Sequence, residues 1–158
     1  MDDLNTEDFK HYFYQQAQSS QSWQSLSPIA KYLNTLKANQ RFLLLSSILC
    51  DRYYPFFHYQ RVAAGLMIKL DAGCPIPLRE CIKLVTDYVY ASDQEYAFFL
   101  AHKFGQEEVL AELQKLQQDE SLTEEQQKSL DKLSYWVGSY SLSRYRLLKQ
   151  TWNSRIRG

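Results

Sequence analysis

Three histidines, three cysteines and one dense cluster of polar and aromatic side chains are the groups of this 158-residue chain best suited to chemistry. His11, His58 and His102 lie more than 40 residues apart. None falls in an HxxxH or HExxH spacing, which would set two imidazoles on one helix face for zinc. Cys50, Cys74 and Cys81 are odd in number and lack the close CxxC pairing of metal or redox motifs, so they read as reduced, mostly buried thiols. The glycines at 65, 73, 105, 138 and 158 build no GxGxxG or GxxxxGKS/T loop to present amides to a phosphate. Ser46, Ser47 and Cys50 sit in an apolar segment with no adjacent base, and no GxSxG elbow is present. Neither a metal nor a cofactor is expected, and the chain reads as non-enzymatic.

The densest cluster is Asp51-Arg52-Tyr53-Tyr54-Pro55-Phe56-Phe57-His58-Tyr59-Gln60-Arg61. Tyr53, Tyr54, His58 and Arg61 can donate protons or clamp an anion, so a small-ligand or enzyme pocket at the Tyr53 to Arg61 corner is one reading. The favoured one is a tight helix corner, in which the rings fill the joint and Asp51 pairs with Arg52 or Arg61.

Charge is segregated further along. Gln106 to Asp131 holds eight carboxylates against two lysines, and Lys132 to Gly158 holds six Lys or Arg and no acid, all within a net charge of zero. Glu107, Glu108, Glu112, Glu124 and Glu125, on one helical hairpin and the start of the next helix, are the candidate partner-binding residues. On one surface they would attract and steer a basic protein and repel nucleic acid. Arg144, Arg146, Lys149, Arg155 and Arg157, interleaved with Tyr145 and Trp152, are the alternative. They can contact phosphates and stack on bases, as a nucleic-acid-associated regulatory protein would. The neutral overall charge disfavours that alternative. In overall texture, being small, motif-free and acid-faced, the chain resembles the bacterial immunity proteins that neutralise toxic nucleases. That likeness implies a cytoplasmic inhibitor whose glutamates occupy the phosphate site of a basic toxin, with Tyr or Trp anchors.

The elements that must position these groups are helical. Nine Gly plus Pro and 45% hydrophobic residues disfavour a many-turned β fold and suit one ordered domain spanning residues 1–158. The pattern predicts eight or nine helices. A first begins near Asn5 or Thr6 and carries Phe9, Phe13 and Ala17 inward. A second is capped by Ser27 ahead of Pro28. Arg41 to Tyr53, apolar on nearly every face, reads as the central helix. The next runs from Phe57 to Ala72 with Gly73 as its stop, and Cys74 to Pro77 form a turn. Leu78, Ile82, Val85 and Val89 make the stripe of a fifth. Ser92-Asp93-Gln94-Glu95 reads as a capping box opening a helix that ends at Gly105. Helices over Gln106 to Gln118, Thr123 to Gly138 and from Ser141 or Ser143 onward complete the set.

Short connections make successive helices pack as antiparallel hairpins. Segments starting near Phe57, Ser92 and Thr123 have the length of HEAT-like units, but no positions recur between them. A compact bundle is therefore favoured over a stacked array. The acidic N-terminus lacks the features of a secretory signal. The longest apolar stretch, Phe42 to Cys50, has nine residues, against about 20 for a membrane span. A cytoplasmic location without membrane contact is expected.

Overall fold

The computed structural model describes residues 4–18, 23–51, 57–87 and 93–158. Among them are nine α-helices and no strand: α1 (Thr6–Gln18), α2 (Ser27–Asn34), α3 (Ala38–Leu49), α4 (Phe57–Lys69), α5 (Leu78–Thr86), α6 (Gln94–Phe104), α7 (Gln106–Gln117), α8 (Glu124–Gly138) and α9 (Leu142–Arg155). A 3-10 turn, Trp23–Leu26, precedes α2. The chain is all-α, as its patterning predicts, and no helix among the described residues is long and apolar enough to cross a membrane.

Caps explain most of the boundaries. Asn5 Oδ1 accepts the Asp8 amide at 2.9 Å to start α1. Thr123 Oγ1 accepts the Gln126 amide at 3.1 Å while Gln126 Oε1 accepts the Thr123 amide at 3.0 Å, a reciprocal box that opens α8. Ser141 Oγ accepts the Arg144 amide at 3.2 Å and starts α9. Two predicted caps are arranged differently. Leu26 occupies the cap position of α2, and Ser27 instead donates to Gln24 Oε1 at 3.2 Å. At α6 the cap is Asp93, whose Oδ1 accepts the Gln94 amide at 2.8 Å. Ser92 lies outside the described residues, and Glu95, the predicted far half of the box, is turned into the core.

The middle of the chain departs from its pattern at helix ends. α3 begins at Ala38, ahead of the predicted Arg41, because Gln40 Oε1 accepts the Lys37 amide at 3.1 Å and starts the helix early. Arg41 is thereby freed to reach the carbonyls of Leu33 at 2.9 Å and Asn34 at 3.2 Å, and that of Leu70. One guanidinium so satisfies the C-terminal ends of both α2 and α4. α4 stops at Lys69, before the predicted Ala72, and the left-handed residue beyond it is Asp71 (φ 49°). Gly73 is required for a different reason than helix termination. A Cβ there would lie 3.1 Å from the Asn39 amide nitrogen and 3.2 Å from the Ala38 carbonyl carbon, both fixed backbone atoms, and the Gly73 amide donates to Ala38 O at 2.8 Å. The α4–α5 turn is thus laid directly on the start of α3.

The centre of the molecule is α6 rather than α3. Glu95 through Ala101 are all buried, and α6 packs against α4, α5, α7, α8 and α9. α3 touches α1, α4 and α5, and its Leu43 remains 53% exposed. The polar residues at both ends of the short α6 sequence conceal its enclosure, because charge at a helix end does not prevent burial of the middle. Helices distant in sequence also meet: α9 lies on α4, and α5 on α8. A stacked array joins each unit only to its neighbours, so these contacts make the fold a closed bundle. At the α4–α9 contact, the Trp152 indole rests on Gly65, where a Cβ would sit 2.3 Å from the ring. Only hydrogen at position 65 lets that helix pair approach so closely.

Candidate partner-binding surface

The acidic run lies on the α7–α8 hairpin. Gln106 Nε2 donates to the carbonyls of Val137 at 2.9 Å and Gly138 at 3.2 Å, joining the start of α7 to the end of α8. At the other end, Gln117 Nε2 donates to Asp131 Oδ1 at 2.9 Å. The helices are therefore antiparallel. Glu107 and Glu108 occupy the first turn of α7, and Glu124 and Glu125 the first turn of α8, which places the two pairs at opposite ends of the hairpin, about 20 Å apart at 1.5 Å per residue. The single acidic surface anticipated from sequence is two smaller ones.

Several of these acids are engaged within the fold. Glu112 accepts from Arg79 Nε at 2.6 Å, joining α7 to α5. Glu124 pairs with Lys128 at 3.5 Å. Asp131 accepts from Gln117 and Gln127, each at 2.9 Å. Asp119 accepts from the Ser121 hydroxyl at 2.7 Å and its amide at 2.9 Å, and those bonds hold its carboxyl below the usual range. Among the described residues, Glu107, Glu108 and Glu125 make no ion pair or hydrogen bond through their carboxylates. Their placement in first helical turns complements the helix dipole.

The end of the hairpin that carries Glu107 and Glu108 is also rich in aromatic rings. Tyr135, in the last turns of α8, is 68% exposed and meets Trp136 edge-on with ring centroids 5.1 Å apart. Leu142, at the start of α9, is 47% exposed. Tyr140, between α8 and α9, packs edge-on against Phe98 at 5.6 Å, and its hydroxyl lies 3.1 Å from His102 Nδ1. The His102 ring stacks on Tyr145 at 3.9 Å and 8°. That cover, together with Lys103 and Lys149, holds the imidazole pKa below its ordinary value against a smaller opposing pull from Asp71. Tyr135 was not singled out from sequence, although the signal was present. Leu133 and Val137 are buried, and Tyr135, two residues from each, lies about 200° around the helix from both, on the side away from the core.

The basic α9 is largely committed to the fold. Lys149 pairs with Asp71 at 2.7 Å. Arg155 lies over the rings of Trp152 at 5.0 Å and Trp23 at 5.9 Å, and Arg144 donates to Ser139 O at 3.0 Å. The side chains of Arg146 and Arg157 are exposed.

At the Tyr53 to Arg61 corner, residues 52–56 lie outside the described residues, and with them Tyr53 and Tyr54. The described part is a pair of buried carboxylates. Asp51, 4% exposed, accepts from the Tyr14 hydroxyl at 2.9 Å and lies 3.4 Å from Lys10 Nζ. Arg61 pairs with Glu95 at 2.8 Å, so its guanidinium serves α6 rather than Asp51. Among the described residues, Glu95 Oε2 and Gln60 Oε1 are buried without a hydrogen-bond partner. His58 is exposed, its ring centroid 4.0 Å from that of Tyr59. Among the described residues, pockets open away from this corner. One of about 280 Å³ lies between Leu4, Tyr32, Leu36 and Leu43, and one of about 330 Å³ between Lys83, Asp87, Leu116 and Leu122. No group of three or more His, Cys, Asp or Glu side chains among the described residues is placed to hold a metal.

No protein-family model, curated protein or solved structure matches this chain.

Proposed function

We propose that this protein is a non-enzymatic binding module whose contact surface is the end of the α7–α8 hairpin bearing Glu107, Glu108 and Tyr135. Its partner is a protein with a basic surface. The most concrete form is a cytoplasmic inhibitor, an immunity protein of the bacterial kind, that neutralises a basic, nuclease-like toxin. The observation that carries this reading is the presence, at one end of the hairpin, of two glutamates without an ion-pair partner among the described residues and of a tyrosine 68% exposed. Carboxylates left unpaired by their own fold retain their full field for steering a cation-rich partner. A rigid ring that can be buried beside them is a suitable anchor, because aromatic side chains dominate interface energetics. The commitment of Lys149, Arg155 and Arg144 to internal contacts favours this surface over α9 as the charged face offered to a partner.

The experiment is capture by tagged wild type, Glu107→Lys/Glu108→Lys and Glu124→Lys/Glu125→Lys from the source cells, at low and moderate salt, with and without nuclease. Both double variants remove first-turn acids and carry a similar dipole cost, so each controls for the other. The expected result is one basic protein in stoichiometric amount that survives nuclease, stays with the Glu124/Glu125 variant and is lost from the Glu107/Glu108 variant. Recovery of nucleic acid, or of partners lost on nuclease treatment, would transfer the function to α9. A partner that ignores both substitutions would sink the acidic surface.

A further inference from the structure

Cys74 and Cys81 are seven residues apart in sequence, and their Sγ atoms lie 3.0 Å apart. Cys74 sits in the α4–α5 turn between Gly73 and Pro75, and Cys81 in the first turns of α5. Each position is fixed by its surroundings. The turn is held on α3 through the Gly73 amide and Ala38 O at 2.8 Å, and the Cys81 amide donates to Pro77 O at 3.0 Å. The Cys81 carbonyl accepts from the buried Tyr96 hydroxyl at 2.6 Å, which ties this turn of α5 to α6. Pro75 and Pro77 fix φ at two of the intervening positions. The thiols are therefore held together by backbone that does not need to move for them to meet. Cys81 is fully buried, whereas Cys74 is half-buried and open to solvent. A disulfide needs about 2.0 Å between sulfurs, which small side-chain rotations supply.

We propose that Cys74 and Cys81 form a redox-modification site that closes reversibly to a disulfide by exchange with a low-molecular-weight disulfide of the glutathione type. Cys74, as its thiolate, attacks one sulfur of the small disulfide. The small molecule's S–S bond breaks, one thiolate leaves and takes up the proton lost by Cys74, and a mixed disulfide forms on Cys74. Cys81 then attacks the Cys74 sulfur, its proton passes to the departing second thiol, and the Cys74–Cys81 bond forms. Two electrons have moved from the protein sulfurs to the small disulfide, which ends as two thiols. The order follows from access, because of the two thiols Cys74 alone is open to solvent. It also follows from electrostatics. The Cys81 thiol, donating to Cys74, lowers the Cys74 pKa against the opposing effect of burial, and Lys103 assists, whereas Cys81 is pushed up by Cys74 and by burial.

The full-length chain is incubated with oxidised glutathione and quenched with an alkylating agent, and its intact mass and tryptic peptides are read. Trypsin cuts after Arg79, so a closed pair joins peptide 70–79 to peptide 80–83. The expected result is loss of two hydrogens with that linkage and with Cys50 alkylated. Cys81→Ser is expected to stop at one glutathione on Cys74, and Cys74→Ser to leave Cys81 unmodified. The proposal is overturned if wild type accumulates a stable mixed disulfide, if Cys50 or Cys81 reacts ahead of Cys74, or if the pair stays reduced in excess oxidised glutathione. The wild-type measurement decides even if a serine variant fails to fold, and far-UV circular dichroism checks each variant.

Discussion

Arg61 Nε donates to Glu95 Oε1 at 2.8 Å, and the two residues differ sharply in exposure: the arginine side chain is 34% accessible and the glutamate 0%. The pair joins α4 to the enclosed helix α6. Breaking it from one side is therefore not equivalent to breaking it from the other. Arg61→Ala leaves a buried carboxylate without its cation, a loss of about 3–5 kcal/mol. Glu95→Gln leaves an arginine that can turn to water, with a smaller loss of about 1.5–3 kcal/mol, that of a hydrogen bond to a charged group. Urea unfolding of the two variants at neutral pH tests the ordering, and an equal or reversed ranking would show that the buried carboxylate is compensated elsewhere.

Gly65→Ala places a methyl where the Trp152 ring already lies, with 2.3 Å available. The helices must part or the indole must tilt, and overpacking of this kind costs roughly 1–3 kcal/mol. Gly65→Ala combined with Trp152→Leu is expected to be less destabilised than the sum of the two single changes, because the smaller side chain relieves the clash. A double-mutant cycle measures that coupling.

His102 makes stability depend on pH. Burial of the ring, with the nearby Lys103 and Lys149 and against the smaller pull of Asp71, holds its imidazole below the ordinary value of 6.5 in the folded state. The unfolded chain therefore binds the proton more readily than the folded one, and stability falls as pH drops through the unfolded pKa toward the folded one. His102→Gln is expected to lose less stability than wild type on going from about pH 7.5 to about pH 5.5. Urea midpoints at the two pH values give the comparison, and identical pH dependence would show that the ring is not desolvated.

Tyr135 separates a binding role from a structural one. At 68% exposure, its truncation to alanine is expected to change stability by no more than about 0.5 kcal/mol. A partner captured through Glu107 and Glu108 should nevertheless bind the variant at least tenfold more weakly, an effect of hot-spot size. Thermal unfolding and titration of the purified partner read the two quantities independently.

Much of the architecture was legible because it depends on local spacing. Leu130, Leu133, Tyr145, Leu148 and Trp152 are buried as their periodicity requires, and Thr123 and Ser141 cap the helices that follow them. The failures share a cause. Arg41 reads only as the first residue of the apolar central helix, and its partners at Leu33, Asn34 and Leu70 are carbonyls, which have no side-chain signature. Glu95 fits a capping box equally well as a buried ion-pair partner, and only the position of Arg61 decides between them. The glutamates were correctly seen as a charge run, but the antiparallel turn of the hairpin, which sends the two pairs to opposite ends, is a three-dimensional fact. Cys74 and Cys81 match no short spacing motif because the chain between them turns back on itself through two prolines.

The contact between Trp152 and Gly65 also orders events during synthesis. α4 leaves the ribosome long before the helix that must cover it. At about 5–20 residues per second, the interval between translation of Gly65 and of Trp152 is on the order of ten seconds. For that time the face of α4 around Gly65 has no indole to close it, so the nascent chain presents an apolar strip that the finished protein conceals.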